Sequence, residues 1–258
     1  MGRLIFVGLG LRPTDLTQAA REAIDSADEV VAEFYTSKLV GMDPKQIAQW
    51  LERPVRFLRR MNVEEEGEAL IEAAKVGVVC FLTGGDAMTA TTHNDLRFRA
   101  QKAGVETEII HGVSIVTAAA GQVGLQAYKF GRITTLVMPH GDYLPKSPFE
   151  VILNNRRQGL HSLVLLDLDT ETERFMLVPD AAKQLVTFAR TWNDPAITPE
   201  TLAVGCARVG NPDQQIMAAP LVELGAADLG DPLHCLIIPG ELHFTEEDAI
   251  AYWKQKTY

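Results

Sequence analysis

The sequence has little of what most binding chemistries require. Its 258 residues include 3 cysteines, and Cys80, Cys206 and Cys235 lie far apart, with no Cys-x-x-Cys pair and no histidine at finger spacing. An odd, scattered count excludes a disulfide framework and completes no zinc site. The thiols read as reduced side chains in apolar strands of a cytoplasmic protein, and no metal is expected. Positive charge is also short. With 24 Lys+Arg against 34 Asp+Glu the net charge is −10, which speaks against nucleic acid as a partner because a phosphate-backbone binder needs clustered positive charge. No apolar run reaches the length of a membrane span. The N-terminal one, residues 4–11, is broken by two glycines and has no small-residue cleavage site. Met1-Gly2 opens like an acylation site, but Phe6 stands where Ser or Thr is needed. There is no Gly-x4-Gly-Lys-Ser/Thr phosphate loop, tandem repeat or low-complexity tract.

What is present is an ordinary globular composition, 47% hydrophobic and 22% charged. The chain can hold one large domain or two of about 130 residues. Short β-branched runs alternate with amphipathic stretches in the first half. Strands are expected at residues 4–7, 29–32, 55–58, 76–82 and 106–110. Helices are expected from a Thr14 or Asp15 cap to Ala27, at 44–51, 67–75 and 92–103, and after Gly112. Such alternation implies a mainly parallel sheet covered on both faces. The second half changes rhythm. Strands at 133–138, 162–167, 202–206, 214–218 and 234–238 are interrupted by helices at 147–158 and 179–190, which implies an α+β domain with a mixed sheet. The reading is therefore α/β, with domains over 1–122 and 123–258 facing one another across a cleft.

Two glycine turns close strands of the first half. Gly8-Leu9-Gly10 invites a dinucleotide-fold interpretation, but Pro13 occupies the place of the third glycine and removes an N–H, so NAD or FAD is disfavoured there. Thr83-Gly84-Gly85-Asp86 ends a strand where ligands of open α/β sheets sit. Asp86 could accept from an amine or a ribose hydroxyl, or cap the next helix.

A series of motifs in fixed order resembles the diphthine synthases, a family within the tetrapyrrole-methylase-like S-adenosylmethionine-dependent methyltransferases. In the first half the matching pieces are Phe6-Val7-Gly8-Leu9-Gly10-Leu11, Ala32-Glu33-Phe34-Tyr35-Thr36-Ser37 and Ala90-Thr91-Thr92-His93. They continue with Tyr128-Lys129-Phe130-Gly131, Gly159-Leu160-His161, Leu166-Asp167, Gly230-Asp231-Pro232, His234 and Pro239-Gly240. The resemblance implies a two-domain fold, a homodimer, and a folded S-adenosyl-L-methionine in the interdomain cleft, released as S-adenosyl-L-homocysteine. Its implied acceptor is the amino group of a 3-amino-3-carboxypropyl-histidine on translation elongation factor 2, methylated up to three times in diphthamide biosynthesis. Carried over residue by residue, the cofactor positions are Leu11, Asp86, Thr89, Ser114, Ile115, Leu166, Val209 and His234. Ser114 could equally cap the following helix, and His234 could be a hydrogen-bonded strand-end residue. Tyr35 and His93 are acid–base candidates or buried hydrogen-bonders, and no catalytic residue is assigned.

The chain departs from the family at four places. Gly84 and Ala87 replace usual prolines, Thr89 replaces a usual valine, and Met138-Pro139-His140-Gly141-Asp142-Tyr143 departs from Tyr-Pro-Glu-Gly. The alternatives are a precorrin-type tetrapyrrole methyltransferase, which the −10 charge disfavours for a multiply anionic substrate, and a non-catalytic cofactor-binding scaffold for the translation factor.

Overall fold

Alternate side chains of the first strand, β1 (Arg3–Gly8), leave opposite faces of a sheet, and both faces are apolar: Leu4 and Phe6 on one, Ile5 and Val7 on the other. A strand of that kind must be covered twice, and in the computed structural model of the protein it is. The structure describes residues 2–34, 39, 41–58, 67–139, 145–170 and 172–255. The chain divides into two units, Met1–Ile115 and Val116–Tyr258.

In the first unit β1 lies within a parallel sheet with β2 (Glu29–Glu33), β3 (Arg56–Leu58), β4 (Val78–Thr83) and β5 (Glu106–Ile110), in the order β3-β2-β4-β1-β5. Helices α1 (Gln18–Ser26) and α2 (Pro44–Leu51) cover the Ile5–Val7–Leu82 face. Helices α3 (Gly67–Val76) and α4 (His93–Lys102) cover the Phe6–Phe81 face. The sequence placed α2 correctly; Asp43 and Gln46 form a reciprocal capping box at its start. The first helix is a correction. Pro13–Asp15 makes a separate 3-10 turn, and Thr17, not Thr14 or Asp15, caps α1 by accepting from the Ala20 N–H at 3.1 Å. The Asp15 carboxylate turns back instead, to the Leu11 N–H and the Arg12 guanidinium.

Helix α5 (Ile115–Val123) starts at the last residue of the first unit and runs into the second, which contains a mixed sheet. It is made of β6 (Thr134–Leu136), β7 (Ser162–Leu166), β10 (Leu202–Ala207), β11 (Gln215–Pro220) and β12 (His234–Ile238), in the order β11-β10-β12-β7-β6. The β6–β7 pair is parallel and the others antiparallel. Helices α6 (Ser147–Arg157) and α7 (Val178–Thr191) pack Phe149 and Phe188 into the core of this unit. The sequence pattern did not anticipate the hairpin β8–β9 (Leu168–Asp169 and Arg174–Phe175), the single turn α8 (Leu221–Leu224) or the terminal helix α9 (Phe244–Gln255).

All three cysteines are buried and free, as the composition implied. Linear distance concealed one relation: Cys206 and Cys235 are register partners on β10 and β12. The side-chain contact from Cys235, with burial, raises the Cys206 thiol well above its ordinary value. Among the described residues no helix is long and apolar enough to cross a membrane, and no His, Cys, Asp and Glu side chains group as metal ligands.

Candidate functional site

The carboxyl ends of β4, β1 and β5 are neighbours in the first sheet, and each runs into a glycine turn. These turns touch through bare backbone. Gly10 and Gly85 exchange hydrogen bonds, N–H to C=O, at 3.0 and 2.8 Å. A Cβ on Gly8 would come within 2.6 Å of both the Gly112 nitrogen and the Gly85 oxygen. No side chain fits there, because what it would meet is main chain. Glycine at 8, 85 and 112 therefore joins three strand ends into one surface, with Gly85 at φ +74° in the left-handed region. This gives the two sequence-level glycine turns a structural reason and adds a third turn, at Gly112.

Five predicted cofactor positions lie on these turns. Leu11 follows Gly10, Asp86 and Thr89 follow Gly85, and Ser114 and Ile115 follow Gly112. Asp86 does not cap a helix, since α4 begins only at His93. Its Oδ1 accepts from the Met88 N–H at 3.0 Å and the Thr89 hydroxyl at 3.1 Å, while Oδ2 accepts from His111 Nδ1 at 2.7 Å. Burial alone would raise this carboxyl. The Met88, His111 and Thr89 hydrogen bonds outweigh it and hold Asp86 below the usual carboxylate range. The turn thus presents a fixed, ionised acceptor at a sheet edge free of side chains at its glycines, a place suited to a cationic or hydroxyl-bearing ligand.

In the second unit Leu166 ends β7, His234 begins β12, and Val209 follows β10, so register brings these three to one end of the mixed sheet. Leu166 and Val209 are buried apolar residues. His234 is committed to backbone. Its Nδ1 accepts from the Val178 N–H that opens α7, at 3.2 Å, and its Nε2–H faces the Gly230 and Asp231 carbonyls at 3.1 and 3.0 Å. Burial lowers its pKa, outweighing the Asp231 and Gly230 carbonyls that favour a charged ring. Both ring nitrogens are therefore occupied by the fold itself. The partner that makes this end rigid went unnoticed in the sequence. Arg208, at φ +49° and almost fully buried, donates to the Leu229 and Asp231 carbonyls and lies 2.6 Å from Asp213 Oδ2. The Gly230-Asp231-Pro232 motif is the loop that Arg208 clasps.

Other motif residues are architectural. Glu246 of α9 is fully buried and accepts from the Gln126 and His243 N–H groups, Lys129 Nζ and His161 Nε2–H. His161 Nδ1 accepts in turn from the Gly240 N–H at 2.9 Å. Burial raises the Glu246 carboxyl, but the His243 N–H, Lys129, the Gln126 N–H and His161 together bring it down to about 2. Burial also lowers the His161 pKa, against the pull of Glu246. Lys129, His161 and Gly240 are thus tied to the terminal helix. Asp167 accepts from the Met138 N–H at 2.9 Å and so holds the first residue of the 138–143 motif. Tyr35 with Thr36 and Ser37, and His140 to Tyr143 of that motif, lie outside the described residues.

The chain is similar to known proteins over nearly its whole length. A family model described as tetrapyrrole (corrin/porphyrin) methylases matches residues 3–225. A diphthine synthase of Methanocella arvoryzae is 42% identical over 249 residues, covering 96% of each chain. One of Halorubrum lacusprofundi is 43% identical over 260 residues, covering 96% of this chain and 95% of its own. A crystal structure of diphthine synthase superposes with a TM-score of 0.87 at 35% identity, over 97% of this chain and 95% of that one. Likeness of this extent, reaching from the first glycine turn to the terminal helix, makes the chain a member of the tetrapyrrole methylase family and, within it, of the diphthine synthases, which are S-adenosylmethionine-dependent methyltransferases.

Proposed function

We propose that this chain transfers methyl groups from S-adenosyl-L-methionine to the amino group of the 3-amino-3-carboxypropyl-histidine of translation elongation factor 2. Transfer stops at the trimethylammonium in diphthamide biosynthesis, and the enzyme works as a cytoplasmic homodimer. The observation that carries the reading is the meeting of three glycine turns around an ionised Asp86, in a chain whose relatives are named for this reaction.

The donor set suits the cofactor. A positively charged sulfonium ligand with an amine and ribose hydroxyls calls for a carboxylate acceptor, free backbone and apolar walls. Asp86, the glycine turns, and Leu11, Ile115, Leu166 and Val209 are of those types. Thr89 and Ser114 would add polar contacts, and His234 its backbone and ring face. When bound, S-adenosylmethionine supplies an activated methyl group. The protein's share is then orientation and exclusion of water rather than activation of a nucleophile. Asp86 would fix the ligand's donors and the apolar residues would keep solvent from the transfer path. The acceptor amine must arrive neutral, and its proton leaves to solvent, so no side chain of this chain is assigned as base. A nitrogen carrying three methyl groups has lost its lone pair, which ends the sequence.

The test is incubation of the protein with labelled cofactor and elongation factor 2, either bearing the aminocarboxypropyl group or unmodified. Mass spectrometry should find three added methyls on the modified factor alone. Label on the unmodified factor would overturn the acceptor, and a fourth, alkali-labile methyl would overturn the stopping point. A single 28.3 kDa species in sedimentation at micromolar concentration would overturn the dimer.

A further inference from the structure

Beside the Asp86 turn lies a sealed polar cluster with no part in the chemistry above. Glu33 ends β2 and Thr83 ends β4, and they are register partners; both are fully buried, as is His93 at the start of α4. The Thr83 hydroxyl donates to Glu33 Oε1 at 2.9 Å. His93 Nδ1 lies 2.8 Å from the Ala87 carbonyl, one residue beyond Asp86. A carbonyl can only accept, so Nδ1 carries the hydrogen. The other ring nitrogen, Nε2, makes no closed hydrogen bond, and it stands 3.3 Å from the same Glu33 Oε1. Phe81, edge-on at 4.9 Å, and Phe6, stacked at 6.5 Å, pack the ring on its apolar sides.

A bare Nε2 lone pair facing a carboxylate oxygen at 3.3 Å in such a medium would be repulsive. One proton in the gap between Nε2 and Oε1 removes the conflict and leaves the pair neutral overall. That proton fixes the ring's other nitrogen as a donor, and the donor holds Ala87. The Thr91 hydroxyl adds a second hydrogen bond to the Ala87 carbonyl at 3.2 Å.

We propose that Glu33 and His93 are a positioning pair for the transfer reaction: by sharing one proton they lock the Ala87 carbonyl and so set the Asp86–Thr89 turn against the cofactor. The proposal rests on the reading that this turn binds S-adenosylmethionine. The pair touches no reacting atom, so its loss should appear in cofactor affinity and leave the rate at saturation.

His93→Phe keeps the ring packing and removes both nitrogens, and Glu33→Leu removes the shared proton's acceptor. Each should weaken S-adenosylhomocysteine binding by about tenfold in calorimetry, the scale of one buried hydrogen bond, and raise the cofactor KM alike while kcat stays within about twofold. Glu33→Gln should restore binding, because an amide nitrogen in place of Oε1 can donate to Nε2 and to the Thr83 hydroxyl. Unchanged affinity in His93→Phe and Glu33→Leu, or a fall in kcat at constant KM, overturns the proposal. Nitrogen-15 NMR of the histidine-labelled wild-type protein tests it without any variant: Nδ1 must be protonated, and a bare Nδ1 overturns it. Asp86→Ala separates the two layers. If it binds S-adenosylhomocysteine normally, the cofactor reading of the turn fails; if it binds weakly while His93→Phe binds normally, only the pair's role fails.

Discussion

The two sheet edges that carry the family motifs satisfy their polar groups in opposite ways. At the edge of the first unit, Asp86 is ionised and buried, yet its companion His111 is exposed, and its other contacts are local, to Met88 and Thr89 of the same turn. In the second unit, Glu246, His161, Arg208 and His234 are buried and hydrogen-bonded to main-chain groups or to side chains distant in sequence. The first arrangement spends its hydrogen bonds within one turn and on an exposed histidine. The second spends them in holding loops to strands. Motif membership therefore does not distinguish a turn that borders solvent from a buried brace, whereas the exposure of the hydrogen-bonding partner does.

The sharpest way to break the comparison is to remove the centre of the second arrangement. Glu246→Ala leaves Lys129, His161 and two backbone N–H groups without their acceptor, a loss of about 3–5 kcal/mol and about 6–15 °C in melting temperature. Cofactor affinity at temperatures where the variant stays folded should hold. A tenfold weaker affinity with little thermal loss would reverse the roles of the two edges.

Asp86→Ala should do the opposite: S-adenosylhomocysteine binding about 10- to 100-fold weaker, as for a lost charged hydrogen-bond acceptor, with a smaller change in melting temperature. Gly8→Ala should come next. Its Cβ, 2.6 Å from two backbone atoms, must part the turns at a cost of about 1–3 kcal/mol. Denaturant melts would measure that cost, and a neutral result would mean the three-glycine contact is not rigid.

The smallest effect separates the edges by pH. His161 and His234 have folded pKa values lowered from 6.5, so their neutral forms stabilise the fold fully above the unfolded value. That contribution is lost as pH falls below 6.5 through the folded values, because the unfolded chain binds protons first. Glu246, lowered from 4.5 to about 2, and Asp86, lowered from 3.8, add their losses only below those values. Stability measured from pH 8 to 3 should therefore fall in two stages, the first carried by the second unit's histidines. His161→Gln should shrink the first stage, and a curve flat down to pH 5 would contradict the shifts.

Much of the fold was legible because its signals are local. Short apolar runs, three of them closed by glycine turns, marked the strands of the first sheet, and the stretch from Pro44 to Leu51 marked α2. The misses share one cause, that their stabilising partner is distant in sequence. Helix α9 buries a carboxylate, Glu246, and an isoleucine, Ile250, while Phe244 and Tyr252 are exposed, so an apolar-face pattern does not show it. Arg208 looks like a surface residue until the Leu229–Leu233 loop folds over it. Thr17 displaced Thr14 and Asp15 as cap because Pro13 starts a separate turn and Asp15 is drawn back to Leu11. The candidate site was legible as strand ends with glycines. Their backbone contact, and the backbone commitment of the His234 ring, were not.

The contact of Gly8, Gly85 and Gly112 also carries a consequence for biosynthesis. Its members come from the start, the far side and the end of the first unit, so the surface they form is among the last features the unit can acquire. A nascent chain released to Leu82 has β1 and β4 to pair, yet lacks both glycine turns that must meet Gly8 and Gly10. Closing loops of about 75 and 100 residues costs entropy that only the completed sheet can offset. Formation of the three-glycine surface is thus tied to completion of the unit, and a truncated fragment has core strands before it has that surface.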